Sequence, residues 1–539
     1  MRRVAVGVAG GAALIAGVTV AARLMGFARW GVFSSAVGST ATGSAYTAAN
    51  ALPNVLFEVA AGGALAAVAV PLLAGPLAKG ALERASATAS ALMTWTLTVL
   101  APLAAVLALA AEPLARLALS GAAETSGPGV IALATRLIRM FALQVPLYGI
   151  GVLAGGVLQA AKRFFWPAVA PLISSVTVIA VYLPFRALAA GAQDDPAALS
   201  GAAVGLLGWG TTAGVAALTL PLLAPVFRLG VRWRWTYRFP PGVGRRALTL
   251  AVAGIGALLA QQCSVATAVV AAGRVGGAGA LPTFNYAQAV YMLPYAVLAV
   301  PLATAAFPHL AEWAERGEAR RFAAGVAGTT RVVVAVSALG AACLVATAPA
   351  VQVLFDRIDR SGDVVGLAAA VTALAPGLIG WGLIAHLQRV LYAAGRAKAA
   401  VTACAAGWLT VAAASAGLVW LGGGGPAATV EGLAIAVSAG MSVAGAGLVH
   451  QCWRALGRAA LAGLARTGLV VLVAAFLGAT AGRCAAAALA SALGGGLISA
   501  LASGLAGLAL VGAVMLAGVA LGDRSLGRAL PRAPRPPAP

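Results

Sequence analysis

From residue 7 to residue 521 long apolar runs alternate with short polar connections, and fourteen apolar segments of 22 to 31 residues can be marked, the first over 7–37 and the last over 492–521. A bilayer core about 30 Å thick is crossed by about 20 helical residues. Backbone groups in lipid must be satisfied within the segment, so runs of this length read as helices. Glycine and proline recur inside them, as membrane helices tolerate. The composition agrees: 61% of residues are hydrophobic and 9% charged, against about 25% charged in soluble domains. The fold class is therefore an all-α polytopic membrane protein of about 14 transmembrane helices. The opening MRRVAVGVAGGAALIAGVTVAARLMG has the charged and apolar regions of a signal peptide, but its apolar run is too long, so it reads as an uncleaved first span.

The net charge is +22, and its distribution sets an orientation. With the N-terminus cytoplasmic, inner loops hold 24 Lys and Arg residues and outer loops 6, which predicts cytoplasmic N- and C-termini. The most basic loop, FRLGVRWRWTYRFPPGVGRR (227–246), interleaves Trp and Arg as an RNA-stacking surface can. Its place between spans favours an interfacial segment touching anionic membrane lipids, with no nucleic-acid partner. The tail LPRAPRPPAP is proline-rich and reads as disordered. Five scattered cysteines and three separate histidines show neither metal spacing nor a disulfide framework. GGGGP (422–426) lacks the Lys-Ser/Thr of a phosphate loop. No enzyme constellation, cofactor site or ATP-binding domain is expected, so any transport must use an ion gradient or the membrane potential. The sequence carries no signal of oligomeric state.

An internal repeat organises the chain. VLQAAKR (157–163) aligns without gaps on VLYAAGR (390–396), and the prolines of the second and eighth segments correspond at offsets of 241 and 237. Two pseudo-symmetric six-helix halves follow, over 1–228 and 247–455, joined by a basic cytoplasmic linker at 229–246. Helices 13 and 14 are appended over 456–522, with a cytoplasmic tail at 523–539. Parallel repeats of this kind suit a transporter whose halves rock about a central site.

Charges inside the apolar segments are the candidate site. Arg136, Arg139, Arg331 and Arg389 lie near segment ends, where snorkelling is expected, whereas Arg23, Arg29 and Glu58 lie deeper. A charge at the bilayer centre costs about 2.5–3.5 kcal/mol on insertion scales. Arg23 and Arg29 are about 120° apart on an ideal helix, and a bend at Gly26 would bring both to one cavity. An ion pair with Glu58 would satisfy one arginine and leave the other. A net positive cavity suits a phosphate or pyrophosphate, which arginine grips bidentately.

Residues 22–74, ARLMGFARWGVFSSAVGSTATGSAYTAANALPNVLFEVAAGGALAAVAVPLLA, resemble the opening of the MurJ/MviN family of lipid II flippases. That family opens with S-R-x-L-G-F-x-R-D, A-D-A-F, P-N-x-x-R and E-G-A-x-x-x-A-F-x-P. The resemblance continues through 160–175, 285–314 and 391–401 and covers nearly the whole chain. It implies fourteen spans in a multidrug/oligosaccharidyl-lipid/polysaccharide exporter fold in a bacterial plasma membrane. The implied activity is alternating-access movement of undecaprenyl-pyrophosphate-linked peptidoglycan precursor to the outer leaflet. Arg23 and Arg29 match the family's two cavity arginines of the first helix. Pro53, Asn54, Gly62 and Pro71 match positions of the second, so Arg23, Arg29, Asn54 and Glu58 are the expected substrate contacts. Four positions depart: Phe57 and Ala289 replace cavity arginines, and Ser44 and Gln288 replace acidic residues. Trp30 stands where an aspartate usually follows the second arginine. The departures leave two other functions open: export of another lipid-linked glycan or a drug with Glu58 as coupling carboxylate, and a non-transporting cell-envelope scaffold.

Overall fold

A computed structural model describes residues 2–59, 63–421, 424–494 and 496–526. Among these the regular structure is helical throughout, with no strand. Eleven helices are long and apolar enough to cross a membrane, or twelve when the pair bent by 43° at residues 375–376 counts as one span. The first two apolar segments of the sequence form α1 and the pair α2 and α3; the number fourteen rests on hydropathy.

The chain divides into two compact units, Met1–Pro282 with Ile358–Gly362, and Thr283–Arg357 with Asp363–Pro539. The first holds α1 (Arg2–Ala36), α2 (Ala41–Phe57), α3 (Gly63–Ala78), α4 (Leu82–Leu109), α5 (Ala111–Ser126) and α6 (Gly129–Phe141). It continues with α7 (Gln144–Ala160), α8 (Phe165–Ala189), α9 (Gly201–Thr219), α10 (Leu223–Arg228) and α11 (Val243–Arg274). After α12 (Ala280–Pro294), the second unit holds α13 (Val300–Glu315), α14 (Ala319–Ile358), α15 (Leu367–Leu374), α16 (Gly377–Ala393), α17 (Ala397–Leu421), α18 (Gly425–Leu456), α19 (Leu464–Ala492) and α20 (Leu497–Gly522). The tail from 527 onward, Gly62 and the glycines at 422 and 423 lie outside the described residues.

Close packing here depends on small residues, because lipid offers little hydrophobic drive for helix association. Gly210 and Gly214 of α9, one turn apart, lie against Val181 and Val178 of α8 with no room for a Cβ. In the second unit Gly407 of α17 and Gly440 of α18 face one another, and a Cβ on either would stand 2.5–2.6 Å from the other's carbonyl oxygen. Helical hydroxyls donate to their own backbone four residues back, as Thr135 does to Ile131 and Thr177 to Ile173, which satisfies them where water is absent.

The repeat appears in the local geometry. α7 and α16 end in the same cap: Arg163 donates to the Leu158 carbonyl at 2.7 Å and Arg396 to the Leu391 carbonyl at 2.8 Å. This six-to-one bond needs a left-handed residue just before it, which is Gly395 (φ +70°) in one repeat and Lys162 (φ +59°) in the other. The paired long helices also break alike. A π-type turn starts at Glu58 after α2, and another spans Tyr295–Ala299 between α12 and α13. Residues 58 and 295 differ by 237, the offset that also relates Pro71 to Pro308.

One end of the first unit is closed around a buried carboxylate. Asp359 is 6% exposed and accepts from Ser34 Oγ at 2.6 Å, Ser39 N and Oγ at 3.0 and 2.9 Å, and Ser361 N and Oγ at 3.0 and 2.7 Å. Arg360 N–H adds a bond to the Ser34 carbonyl at 2.8 Å. The five-residue segment Ile358–Gly362 is thereby fastened across the turn between α1 and α2.

Two outcomes follow in purified protein. Asp359→Ala strands several buried donors and lowers stability by about 2–4 kcal/mol, while Asp359→Asn recovers part of the loss; thermal unfolding in detergent reads both. Lys162→Gly relieves a left-handed lysine, so it raises the unfolding temperature, consistent with about 0.5–1 kcal/mol; no rise would mean that the lysine is not strained.

Candidate functional site

The site grows from one row on α2. Tyr46, Asn50, Asn54 and Glu58 follow at intervals of four, which on a helix makes a row winding slowly along one side. The Asn54 side-chain amide donates to the Asn50 carbonyl at 2.7 Å, which holds the row together above Pro53. Tyr46 and Asn50 line a cavity of about 310 Å³ with Arg29, Trp30 and Phe33 of α1, Tyr148 of α7, Ser174, Ser175 and Tyr182 of α8, and Thr211 of α9. Asn54 and Glu58 line an adjoining cavity of about 400 Å³ with Phe57, Gly151, Gly155 and Gln159. Tyr148, Pro171 and Leu218 border both, so the two are compartments of one cleft inside the first unit.

The walls are ordered by aromatic packing and hydroxyl bonds. Tyr46 Oη meets Tyr182 Oη at 2.8 Å and Thr211 Oγ1 at 3.1 Å, and Thr211 donates to the Leu207 carbonyl at 2.7 Å. Phe33 packs on Tyr46 and Tyr182 with ring centroids 5.3 and 5.5 Å apart. Such pairs fix ring positions beyond what burial alone does. Arg29 faces these hydroxyls.

The ion pairs among the described residues are Arg116–Glu112, Arg316–Glu312, Arg321–Glu318 and Arg331–Asp523. Among the described residues no ion pair joins Glu58 to an arginine, and none of them brings a counter-charge within bonding distance of Arg29 or Glu58 on the cleft. Arg23 is placed differently. α1 runs through Gly26 as one helix, so six residues leave the two arginines about 120° apart; Arg23 is exposed and Arg29 half-buried. The structure brings Arg29, Asn54 and Glu58 to one cleft and leaves Arg23 outside it. Arg136 and Arg139 are exposed on α6 and line neither compartment.

Phe57, standing where a cavity arginine was expected, is 7% exposed and packs on Tyr148 at 4.9 Å. An aromatic contact occupies the place of a cation, so the cleft carries one guanidinium. Ser44 is buried, and its Oγ accepts from Gly279 N–H at 2.7 Å, the bond a carboxylate there would also take. Gln288 and Ala289 are half-buried on α12. Arg331 corrects a snorkelling expectation: its guanidinium donates to Thr467 Oγ1 at 2.7 Å, to both Asp523 oxygens at 2.8–3.0 Å and to Ser525 Oγ at 2.6 Å. That cluster ties α14 to α19 and to the end of α20. Burial alone would raise the Asp523 pKa, but bonds from Ser525, Thr467 and Arg331 hold its carboxyl well below the usual carboxylate range.

The tyrosines of the cleft were not singled out in the sequence, although the four-residue spacing of Tyr46, Asn50, Asn54 and Glu58 was there to be found. Tyr148 and Tyr182 carry no such signal, because only packing brings α7 and α8 to α2. The five cysteines are free, and no group of three or more metal-ligating side chains occurs among the described residues.

Comparison with known proteins agrees on one fold. A solved lipid II flippase MurJ in an inward closed conformation superposes with a TM-score of 0.71 at 16% identity, covering 94% of this chain and 99% of that one. An inward-facing multidrug resistance MATE family transporter of the MOP superfamily superposes at 0.60 with 15% identity, over 83% and 98%. At these identities the likeness is one of fold. A probable lipid II flippase MurJ of Rhizobium tropici is 27% identical over 319 residues, 57% of this chain and 56% of that protein, so the aligned part spans little more than half of that relative. The family model described as lipid II flippase MurJ matches residues 33–503, a stretch that runs from α1 into α20 and takes in most of the cleft and both repeats: the chain belongs to the MurJ family.

Proposed function

We propose that this multi-pass bacterial inner-membrane protein is a transporter that carries a polyprenyl-pyrophosphate-linked cell-wall precursor, lipid II, to the outer leaflet by alternating access. The observation that carries the reading is Arg29: a guanidinium on an intramembrane cleft, ringed by hydroxyls and in no ion pair. A buried charge left alone is costly, and an anionic ligand that supplies the missing charge binds all the more strongly. The guanidinium presents donors in a fork that fits two phosphate oxygens, and the Tyr148 hydroxyl, whose proton is not taken up by the Tyr46–Tyr182–Thr211 network, can donate to the remainder. Asn54 and Glu58, farther along the same row, offer an amide and a carboxylate to the hydroxyl and amide groups next to the pyrophosphate. Arg23, exposed on another face of α1, meets the headgroup outside the cleft. This reading places both termini in the cytoplasm, which the charge asymmetry of the loops supports. No covalent chemistry is needed: the precursor leaves as it entered.

In cells depleted of other flippases, the wild type restores externally accessible lipid II. Arg29→Ala at equal expression lowers the rate at least tenfold, the worth of about 1.5–3 kcal/mol for a charge-assisted bond, and Arg29→Lys falls between them because it keeps charge and loses the fork. An unchanged rate in Arg29→Ala removes Arg29 from the transport path.

Glu58 favours a second reading, a proton-coupled exporter of another lipid-linked glycan or a drug, because its carboxylate stands unpaired at a π-type turn inside a membrane segment. Glu58→Gln keeps the hydrogen-bonding groups and removes titration. Lipid II exposure stays within about threefold of wild type under the first reading. Abolished, proton-gradient-dependent efflux of another compound in Glu58→Gln would establish the second.

A further inference from the structure

The most basic loop of the chain is laid along a helix by a row of hydrogen bonds. Along α4, Ser86, Ser90 and Thr94 stand at intervals of four and accept from the backbone N–H groups of Arg232, Arg234 and Thr236, at intervals of two, at 3.1, 3.0 and 3.0 Å. The match is metric: four helical residues rise about 6.0 Å, and two residues of extended chain advance about 6.6 Å. Tyr237 completes the row, its carbonyl accepting from Trp95 Nε1 at 3.2 Å and its hydroxyl meeting Thr98 Oγ1 at 3.0 Å. Residues 231–238 therefore run extended along the first turns of a membrane-crossing helix, within the first unit.

Exposure then sorts the side chains. Val231 is 1% exposed and Trp233 packs on Phe227 at 5.5 Å, while Arg232, Arg234, Trp235, Tyr237 and Arg238 are exposed. Trp235 and Tyr237 pack edge to face, 6.0 Å apart. No acidic residue occurs between 227 and 246, and among the described residues none of the three arginines is in an ion pair. Indole and phenol rings prefer the membrane–water boundary, and arginines there meet lipid phosphates.

We infer that residues 231–238 form a membrane-surface clamp for anionic phospholipid headgroups. Arg232, Arg234 and Arg238 contact the phosphates, Trp235 and Tyr237 sit among the glycerol groups, and the hydroxyl row of α4 holds the ribbon in register beforehand. Binding therefore orders little chain, which is where preorganised sites gain over flexible basic tails. The inference stands apart from the reading of the cleft.

The test uses the purified full-length protein in detergent, titrated with short-chain phosphatidylglycerol and phosphatidylcholine at fixed salt, with bound lipid counted by native mass spectrometry. The wild type prefers phosphatidylglycerol. Arg232→Gln/Arg234→Gln/Arg238→Gln weakens that preference at least tenfold, since each surface cation contributes about fivefold. Ser86→Ala/Ser90→Ala/Thr94→Val keeps every charge and weakens it less, with a steeper salt dependence as the freed ribbon behaves as a diffuse basic segment. An unchanged preference in the arginine variant, or equal loss of both lipids at an unchanged unfolding temperature, overturns the clamp. Stronger binding of polyglutamate than of phosphatidylglycerol also overturns it and assigns the face to an acidic protein.

Discussion

An arginine held inside a bilayer must be solvated by the protein, by water or by a ligand, and the first unit is arranged around that constraint. Among the described residues Arg29 has no carboxylate within ion-pair distance; it shares its cavity with hydroxyls of Tyr46, Tyr148, Tyr182 and Thr211, set by tilted and edge-to-face aromatic contacts. Hydroxyls stabilise a guanidinium without cancelling its charge. A nearby carboxylate would bind Arg29 more tightly and leave it nothing to offer an anion. Under the proposed function the cleft keeps a charge available at the expense of stability, with α1, α2, α7, α8 and α9 packed closely around it.

The same logic explains which polar groups are fully satisfied. Asp359, with five serine-derived bonds, and Arg331, bonded to Asp523, Thr467 and Ser525, are held by several bonds each. Arg29 and Glu58 are not. Saturation separates groups that hold the fold from groups that can meet a ligand, a distinction that burial and charge alone do not make.

The all-helical, multi-span character was legible in the sequence because run length is a local rule. The family resemblance carried by residues 22–74 was legible for the same reason, as a contiguous motif. What depends on distant residues meeting was not. Asp359 lies in a short polar connection between apolar segments, and nothing local says that the turn between α1 and α2 closes onto it. Arg331 reads as a snorkelling residue until Asp523, 192 positions away, is found beside it. Gly26 suggested a bend because glycine permits one, but a helix bends only where something deforms it, and nothing lies within 4 Å of where a Cβ would stand there. Phe57 was read as a lost cation; in place it is a ring packed on Tyr148 that narrows the cleft around a single guanidinium.

The central claim is that Arg29 is kept unpaired for a pyrophosphate. The most direct measurement is a titration of the purified protein with a short prenyl pyrophosphate, followed by mass spectrometry of the bound form, in wild type and in Arg29→Gln. The account predicts that wild type prefers the pyrophosphate over the corresponding prenyl alcohol and that Arg29→Gln loses most of that preference, by about tenfold or more. Equal binding of the pyrophosphate by both proteins would contradict it, and would leave Arg29 a structural residue of an otherwise intact fold.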